Sequence, residues 1–260
     1  GSRVYSRDVV GGIKAFDVAT SRLLWVLPSA GGYATMALSP RGDWLVIAGA
    51  SKQIRVVNAI TGAVESRTED DRVTFSVAVT QGGSSFVTSS DNATLRLWSL
   101  PGAKLVRTIQ EGVAYTGAVA CAPTGEMLAV SNTQGTVSLI DTTSWRVKRK
   151  LNTASSALIT SLTFSTDGEV LYGGSFDNTI KRWNTDAGTE LAPLTGHASP
   201  IGNVAVDSAA ETLASASADG TIRLWDARNG KERVAYTRLR DNNWIWLTPE
   251  GYFHRSSTLA

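Results

Sequence analysis

His197-Ala-Ser-Pro-Ile201-Gly-Asn-Val204-Ala-Val206 is followed, six residues on, by Leu213-Ala-Ser215-Ala-Ser217-Ala-Asp219-Gly-Thr-Ile222-Arg-Leu224-Trp225-Asp226. Apolar and small residues alternate in both pieces, at the period of a strand whose side chains point to opposite faces in turn. Asp219-Gly220 interrupts the second piece as a sharp turn between two such strands. This stretch is the clearest copy of a unit that recurs along the chain.

Stepping back from Trp225 gives Trp183, Ile140, Trp98, Val57 and Phe16, at intervals of 42, 43, 42, 41 and 41 residues. Each is followed by a small polar or acidic residue: Asp226, Asn184, Asp141, Ser99, Asn58 and Asp17. Ahead of the large residue run alternating segments such as Thr94-Leu-Arg-Leu-Trp98 and Thr179-Ile-Lys-Arg-Trp183. Turn punctuation keeps the same beat, in Ser39-Pro-Arg-Gly42, Ala122-Pro-Thr-Gly125, Ser165-Thr-Asp-Gly168 and Thr248-Pro-Glu-Gly251. Apolar residues at helical spacing are absent. A unit of this length with four short strands predicts an all-β fold, a β-propeller of four-stranded antiparallel blades.

Leu213 to Asp226, together with Gly196-His197 placed 22 residues before Asp219, resembles the signature of the WD-repeat family. The resemblance covers nearly the whole chain and speaks to fold far more than to function. We read a single domain over residues 3–260, with residues 1–2 an expression scar. The repeats are a partial one at 3–28, then 29–69, 70–110, 111–152, 153–196 and 197–237. The first repeat lacks its innermost strand, and residues 243–248 supply a spare one. Because an open sheet edge invites aggregation, we expect the C-terminal strand to pair with the N-terminal blade and close six blades. Seven blades are the alternative.

Composition narrows the function. Hydrophobic residues make up 42% and charged residues 18%, as in a folded globular chain. A formal charge of +2 is too small to imply nucleic acid or an anionic membrane surface. A single cysteine, Cys121, excludes a disulfide framework, and with His197 and His254 it cannot build an ordinary zinc or iron site. We therefore expect no metal, no cofactor and a cytoplasmic, monomeric domain. The basic run Trp145-Arg-Val-Lys-Arg-Lys150 reads either as contact with an anionic partner or as edge protection of an outer strand, and we favour the latter.

His197, Ser215 and Asp219 fall in one repeat and could in principle be nucleophile, base and orienter. The family resemblance implies otherwise: His197, Ser215, Asp219 and Trp225 form a buried structural tetrad across one blade. The other repeats keep it only in part. Asp177 and Trp183 retain two positions, with Gly173 and Ser155 at the others. Asn92 and Trp98 retain a partial copy, with Thr88 at the serine position. No catalytic residue is expected. Gly11 to Trp25 is also similar to a quinoprotein-type propeller repeat, whose members are dehydrogenases with a quinone cofactor. A propeller enzyme or small-molecule receptor using a central channel is accordingly the alternative function.

The main expectation is a non-catalytic scaffold or sensor module of a larger signalling protein. It would bind a protein or peptide, or other domains of the parent chain. In propellers of this type the strand entries and the second-to-third turns share a rim, which places Tyr33, Arg72, Tyr115 and Phe176 there as contact residues. Aromatic residues and arginine dominate protein-binding hot spots. Finally, Trp246-Leu-Thr-Pro-Glu-Gly-Tyr-Phe253 resembles the last repeat of large bacterial WD-repeat proteins, in which the propeller is often fused to an effector.

Overall fold

The computed structural model describes residues 2–8, 11–29, 31–109, 116–207, 211–239 and 243–256. Among them there is no helix, and every sheet is antiparallel. Six sheets make up a six-bladed β-propeller by fold class. The chain divides into two compact units, residues 1–121 and 122–260.

The first unit opens with a three-stranded sheet of β1 (Arg3–Arg7), β2 (Ile13–Asp17) and β3 (Leu23–Leu27). The second sheet runs β4 (Ala34–Leu38), β5 (Trp44–Gly49), β6 (Gln53–Asn58) and β7 (Val64–Glu69). The third runs β8 (Thr74–Val79), β9 (Ser85–Ser90), β10 (Leu95–Ser99) and β11 (Leu105–Ile109). Strand β12 (Thr116–Cys121) ends the unit.

Burial on both faces explains why β5 reads as a continuous apolar run. Its Leu45 and Ile47 join Ile13, Leu27 and Val57 in a core between the first and second sheets. Val46 and Ala48, pointing the other way, join Ile54, Val56, Phe86 and Trp98 between the second and third. Turning such a core leucine or isoleucine into alanine costs about 2–5 kcal/mol.

The second unit contains β13 (Met127–Asn132), β14 (Val137–Asp141) and β15 (Val147–Leu151), which follow β12 in the strand order of the fourth sheet. The fifth sheet is β16 (Ile159–Phe164), β17 (Val170–Ser175), β18 (Ile180–Asn184) and β19 (Glu190–Leu194). The sixth starts with β20 (Ile201–Asp207), β21 (Thr212–Ser217), β22 (Thr221–Asp226) and β23 (Glu232–Arg238). Tyr172, Ile180, Leu194, Ile201, Leu213 and Trp225 form the core between these last two sheets.

The turns follow the sequence punctuation. Gly42 sits at φ 77° and its N–H donates to Ser39 O at 2.8 Å. A side chain there would be strained, so glycine fits. Ser39 Oγ accepts from the N–H groups of Asp43 and Trp44 and holds the chain as it enters β5. Each of the six sheets has a register shift where the strand carrying the large residue pairs with the strand that follows it: Ala15/Phe16, Val56/Val57, Leu97/Trp98, Leu139/Ile140, Ile180/Arg182 and Leu224/Trp225. Such bulges bend a strand and raise its twist.

One expectation is overturned. Residues 243–248 do not enter the first sheet, whose described strands number three. Instead β24 (Trp244–Leu247) pairs antiparallel with β23, from Arg238↔Trp244 to Ala235↔Leu247, and β25 (Phe253–Arg255) pairs with β24. The sixth sheet therefore has six strands. The physical reason is local. Leu239 N–H donates to Asn243 O at 2.7 Å, closing a short loop, and closing a short loop costs little entropy. The cross-strand pair Tyr236 and Trp246 then meets edge to face with ring centres 5.2 Å apart, an arrangement worth about 0.5–1.5 kcal/mol beyond area burial.

Candidate functional site

The sixth sheet brings His197, Ser215, Asp219 and Trp225 together. His197 lies just before β20, Ser215 on β21, Asp219 in the following turn and Trp225 on β22. Trp225 Nε1–H donates to Ser215 Oγ at 2.9 Å. Ser215 Oγ is 2.7 Å from His197 Nε2, and His197 Nδ1 is 2.9 Å from Asp219 Oδ2. A carboxylate only accepts, so Nδ1 carries the proton and Nε2 accepts from the serine hydroxyl. The chain of donation runs from indole to hydroxyl to imidazole to carboxylate.

Asp219 also accepts from Ala198 N–H at 3.0 Å, from Thr221 N–H at 2.9 Å and from Thr221 Oγ at 2.7 Å. Burial pushes its carboxyl up. The hydrogen bonds from Thr221, Ala198 and His197 outweigh that and hold it well below the usual carboxylate range.

This connectivity is that of a Ser-His-Asp triad. Access separates the two. Ser215 is 1% exposed, and its oxygen already takes the indole N–H while its proton goes to His197. A nucleophile needs an open face toward substrate, and this serine has none. The arrangement ties β20, β21 and β22 to one another.

Two other sheets solve the same problem with different residues. In the third, Trp98 Nε1–H donates to Thr88 Oγ at 2.9 Å. Asp70 stands where the repeat places His197, and Asn92 where it places Asp219. The Asp70 side chain is fully enclosed and paired with Arg96, which also holds Asp71 at 2.5 Å. Burial pushes the Asp70 carboxyl up, with Arg96 opposing; the Arg96 hydrogen bond holds Asp71 down.

In the fifth sheet Lys181 Nζ reaches Asp177 Oδ2 at 2.7 Å. Burial raises the Asp177 carboxyl, but Lys181, Thr179, Ser175 and Ser155 together hold it well below the ordinary range. Gly173 replaces the serine, and a Cβ there would stand 3.0 Å from the Trp183 ring. The indole thus occupies the serine's space, and its N–H goes to Asn152 O at 3.4 Å. The partial copies of the tetrad in the sequence do not reveal these ion pairs; their signal is a cation two residues before the large residue, Arg96 before Trp98 and Lys181 before Trp183.

The expected rim residues fall in both units. In the first, Tyr33 precedes β4 and is 40% exposed; its Oη donates to Thr74 O at 3.2 Å, at the entry of β8. Arg72 lies two residues before that strand, exposed and 3.5 Å from Asp71. Phe75, which sequence reading passed over, joins them. Thr74 pairs with Ser90 and Ser76 with Ser89, so Phe75 is the extra residue of a bulge and stays 44% exposed. Bulges commonly re-aim a side chain in this way. In the second unit Phe176 occupies the turn between β17 and β18 at 56% exposure. Tyr115 lies outside the described residues. His254 lies beside Trp244, the rings tilted with centres 5.3 Å apart, on the C-terminal hairpin. No cluster of metal-ligating side chains occurs among the described residues.

Comparison with known proteins agrees with the repeat reading. The family model for the WD domain, G-beta repeat (WD40), matches residues 145–184 and 188–226. The chain therefore carries WD40 repeats. Each match begins on or before the outer strand of one sheet and ends on the third strand of the next.

Among relatives, the WD repeat-containing protein SL1-17 of Schistosoma mansoni is 26% identical over 60% of this chain and 51% of its own length. Eukaryotic translation initiation factor 3 subunit I of Neurospora crassa is 37% identical over 28% of this chain and 21% of its own. Pre-mRNA-processing factor 19 of Bos taurus is 29% identical over 45% and 23%. The chain thus spans about half or less of the relatives it matches. These relatives are eukaryotic, which gives no support to the bacterial origin that the C-terminal phrase implied.

Proposed function

We propose that this chain is a non-catalytic protein-binding scaffold, engaging a protein or peptide through loop residues at the strand entries. The observation that carries the reading is the first unit's group of Tyr33, Arg72 and Phe75, which meets at the entry of β8 with two exposed aromatic rings and an exposed guanidinium. These are the residue types that dominate binding hot spots. The bulge makes the third of them available at no cost to the core. Relatives named as a translation initiation factor subunit and a pre-mRNA-processing factor favour a role within an assembly.

In this reading the chain works in a signalling assembly in the cytoplasm and binds a protein, a peptide or other domains of the parent chain. The test is affinity capture from source-cell lysate, comparing the intact chain with Tyr33→Ala/Arg72→Ala/Phe75→Ala and, separately, Phe176→Ala, all verified as folded by circular dichroism. Loss of specific partners from the triple variant supports the reading. Equal capture by all three proteins refutes it.

A further inference from the structure

One position of the repeat decides how a buried charge is met. Two residues before the large third-strand residue stand Lys14, Arg55, Arg96, Ser138, Lys181 and Arg223. Three of these cations have carboxylate partners: Arg96 has Asp70, Lys181 has Asp177, and Arg223 has Glu232 at 2.6 Å. Relative to the large residue, the partners come from 28 before, six before and seven after. In the second repeat those places hold Ser29, Ser51 and Val64. Every source of counter-charge used elsewhere is neutral there.

Arg55 is nevertheless 5% exposed, and among the described residues its Nη1–H donates to Pro28 O at 2.9 Å. Directly opposite on β7 stands a second arginine, Arg67, which is exposed. Residues directly opposite in a sheet share a face, and like charges there repel. Burial, with the Arg67 charge adding to it, pushes the Arg55 pKa down. Arginine still keeps its proton at any ordinary pH.

Among the described residues neither guanidinium forms an ion pair. Glu69, exposed and next along the same face opposite Gln53, pairs with neither. The neighbouring apolar core toward the first sheet is built from Ile13, Leu27 and Trp25. A buried cation in such surroundings calls for a counter-ion.

We propose that Arg55 and Arg67 hold a small tetrahedral oxyanion of phosphate type between them. Two planar donor forks on one face suit a dianion with several acceptor oxygens. The exposed Arg67 gives it a way in from solvent, and Arg55 forms the buried end. This site is independent of the protein-binding reading.

The test is thermal unfolding of the full chain in sodium phosphate and in sodium chloride at equal ionic strength, with isothermal titration for affinity. Phosphate should raise Tm saturably above the chloride value. R67Q should lose that increment and weaken phosphate binding at least about tenfold, as expected for one lost charge-assisted contact. R55M, an apolar near-isostere, should lose the increment too. If R55M does not fold, the exposed R67Q still decides. Glycerol phosphate in place of phosphate separates the sources: equal affinity identifies a phosphomonoester ligand, and binding of phosphate alone identifies the free ion. Identical responses of the intact chain to phosphate and chloride, or a full phosphate increment in R67Q, would overturn the proposal.

Discussion

Asp219→Ala removes the acceptor of four hydrogen bonds at once, from His197 Nδ1, Ala198 N, Thr221 N and Thr221 Oγ. The four losses are unequal. Ala198 is exposed and Thr221 half-buried, so water can replace part of what they lose. His197 is buried and has no such recourse. A hydrogen bond to a charged group contributes about 1.5–3 kcal/mol, and an unsatisfied buried donor adds to the loss. The total comes to about 2–4 kcal/mol, or a Tm lower by about 5–15 °C for a domain of this size. Differential scanning calorimetry with urea unfolding as a check measures it.

Asp219→Asn keeps an acceptor oxygen but not the charge, so it should fall between alanine and the native chain. The acid limb gives a second reading. The folded Asp219 carboxyl is held below its unfolded value. Its contribution is therefore full above about pH 4, the ordinary aspartate range, and is lost as pH falls further. The stability gap between the native chain and Asp219→Asn should narrow on going from pH 6 to about pH 3. A Tm for Asp219→Ala within 1 °C of native, or a gap that widens in acid, would refute the tetrad as a source of stability.

Two further outcomes follow from the other sheets. Arg96→Met leaves the enclosed Asp70 carboxylate without its cation and should cost about 3–5 kcal/mol in urea unfolding, with Asp70→Asn added in the same chain recovering much of it; equal stability of Arg96→Met and native would show that the pair contributes nothing. Gly173→Ser restores the residue of the sixth sheet, yet its Cβ would meet the Trp183 ring at 3.0 Å and Ile159 at 3.1 Å, so it should destabilise by about 1–3 kcal/mol; a rise in Tm would show that the indole yields and the serine bond re-forms.

The parts of the fold legible in the sequence are those set by short-range rules. Strand alternation, the glycine turns and the regular spacing of Trp225, Trp183 and Trp98 place nearly every strand within a residue or two. Counting missing and surplus strands assigns residues 243–248 to the first sheet, but the short loop from Leu239 to Asn243 makes pairing with β23 cheap. Phe75 was missed because a bulge adds one residue, and one residue reverses the inside and outside of a strand.

The candidate sites show the same division. Residues that carry the resemblance to WD repeats, His197 and Ser215, are spent inside one sheet and are closed to any ligand. Function has to be sought where a repeat departs from its siblings, and charge balance shows where. Third-strand cations meet an acid from the preceding loop in one sheet, from the adjacent turn in another and from the fourth strand in a third. The cation recurs in five of the six repeats, Ser138 being the exception, while the source of its acid varies. The second sheet keeps the cation but is neutral at each of the three places that supply an acid elsewhere, so its Arg55 either destabilises the fold outright or is answered from solution. Those two cases differ in a measurable sign. If Arg55 is merely unpaired, replacing it by methionine stabilises the chain in every buffer; if it is answered by an anion, the replacement stabilises in chloride and forfeits what phosphate adds.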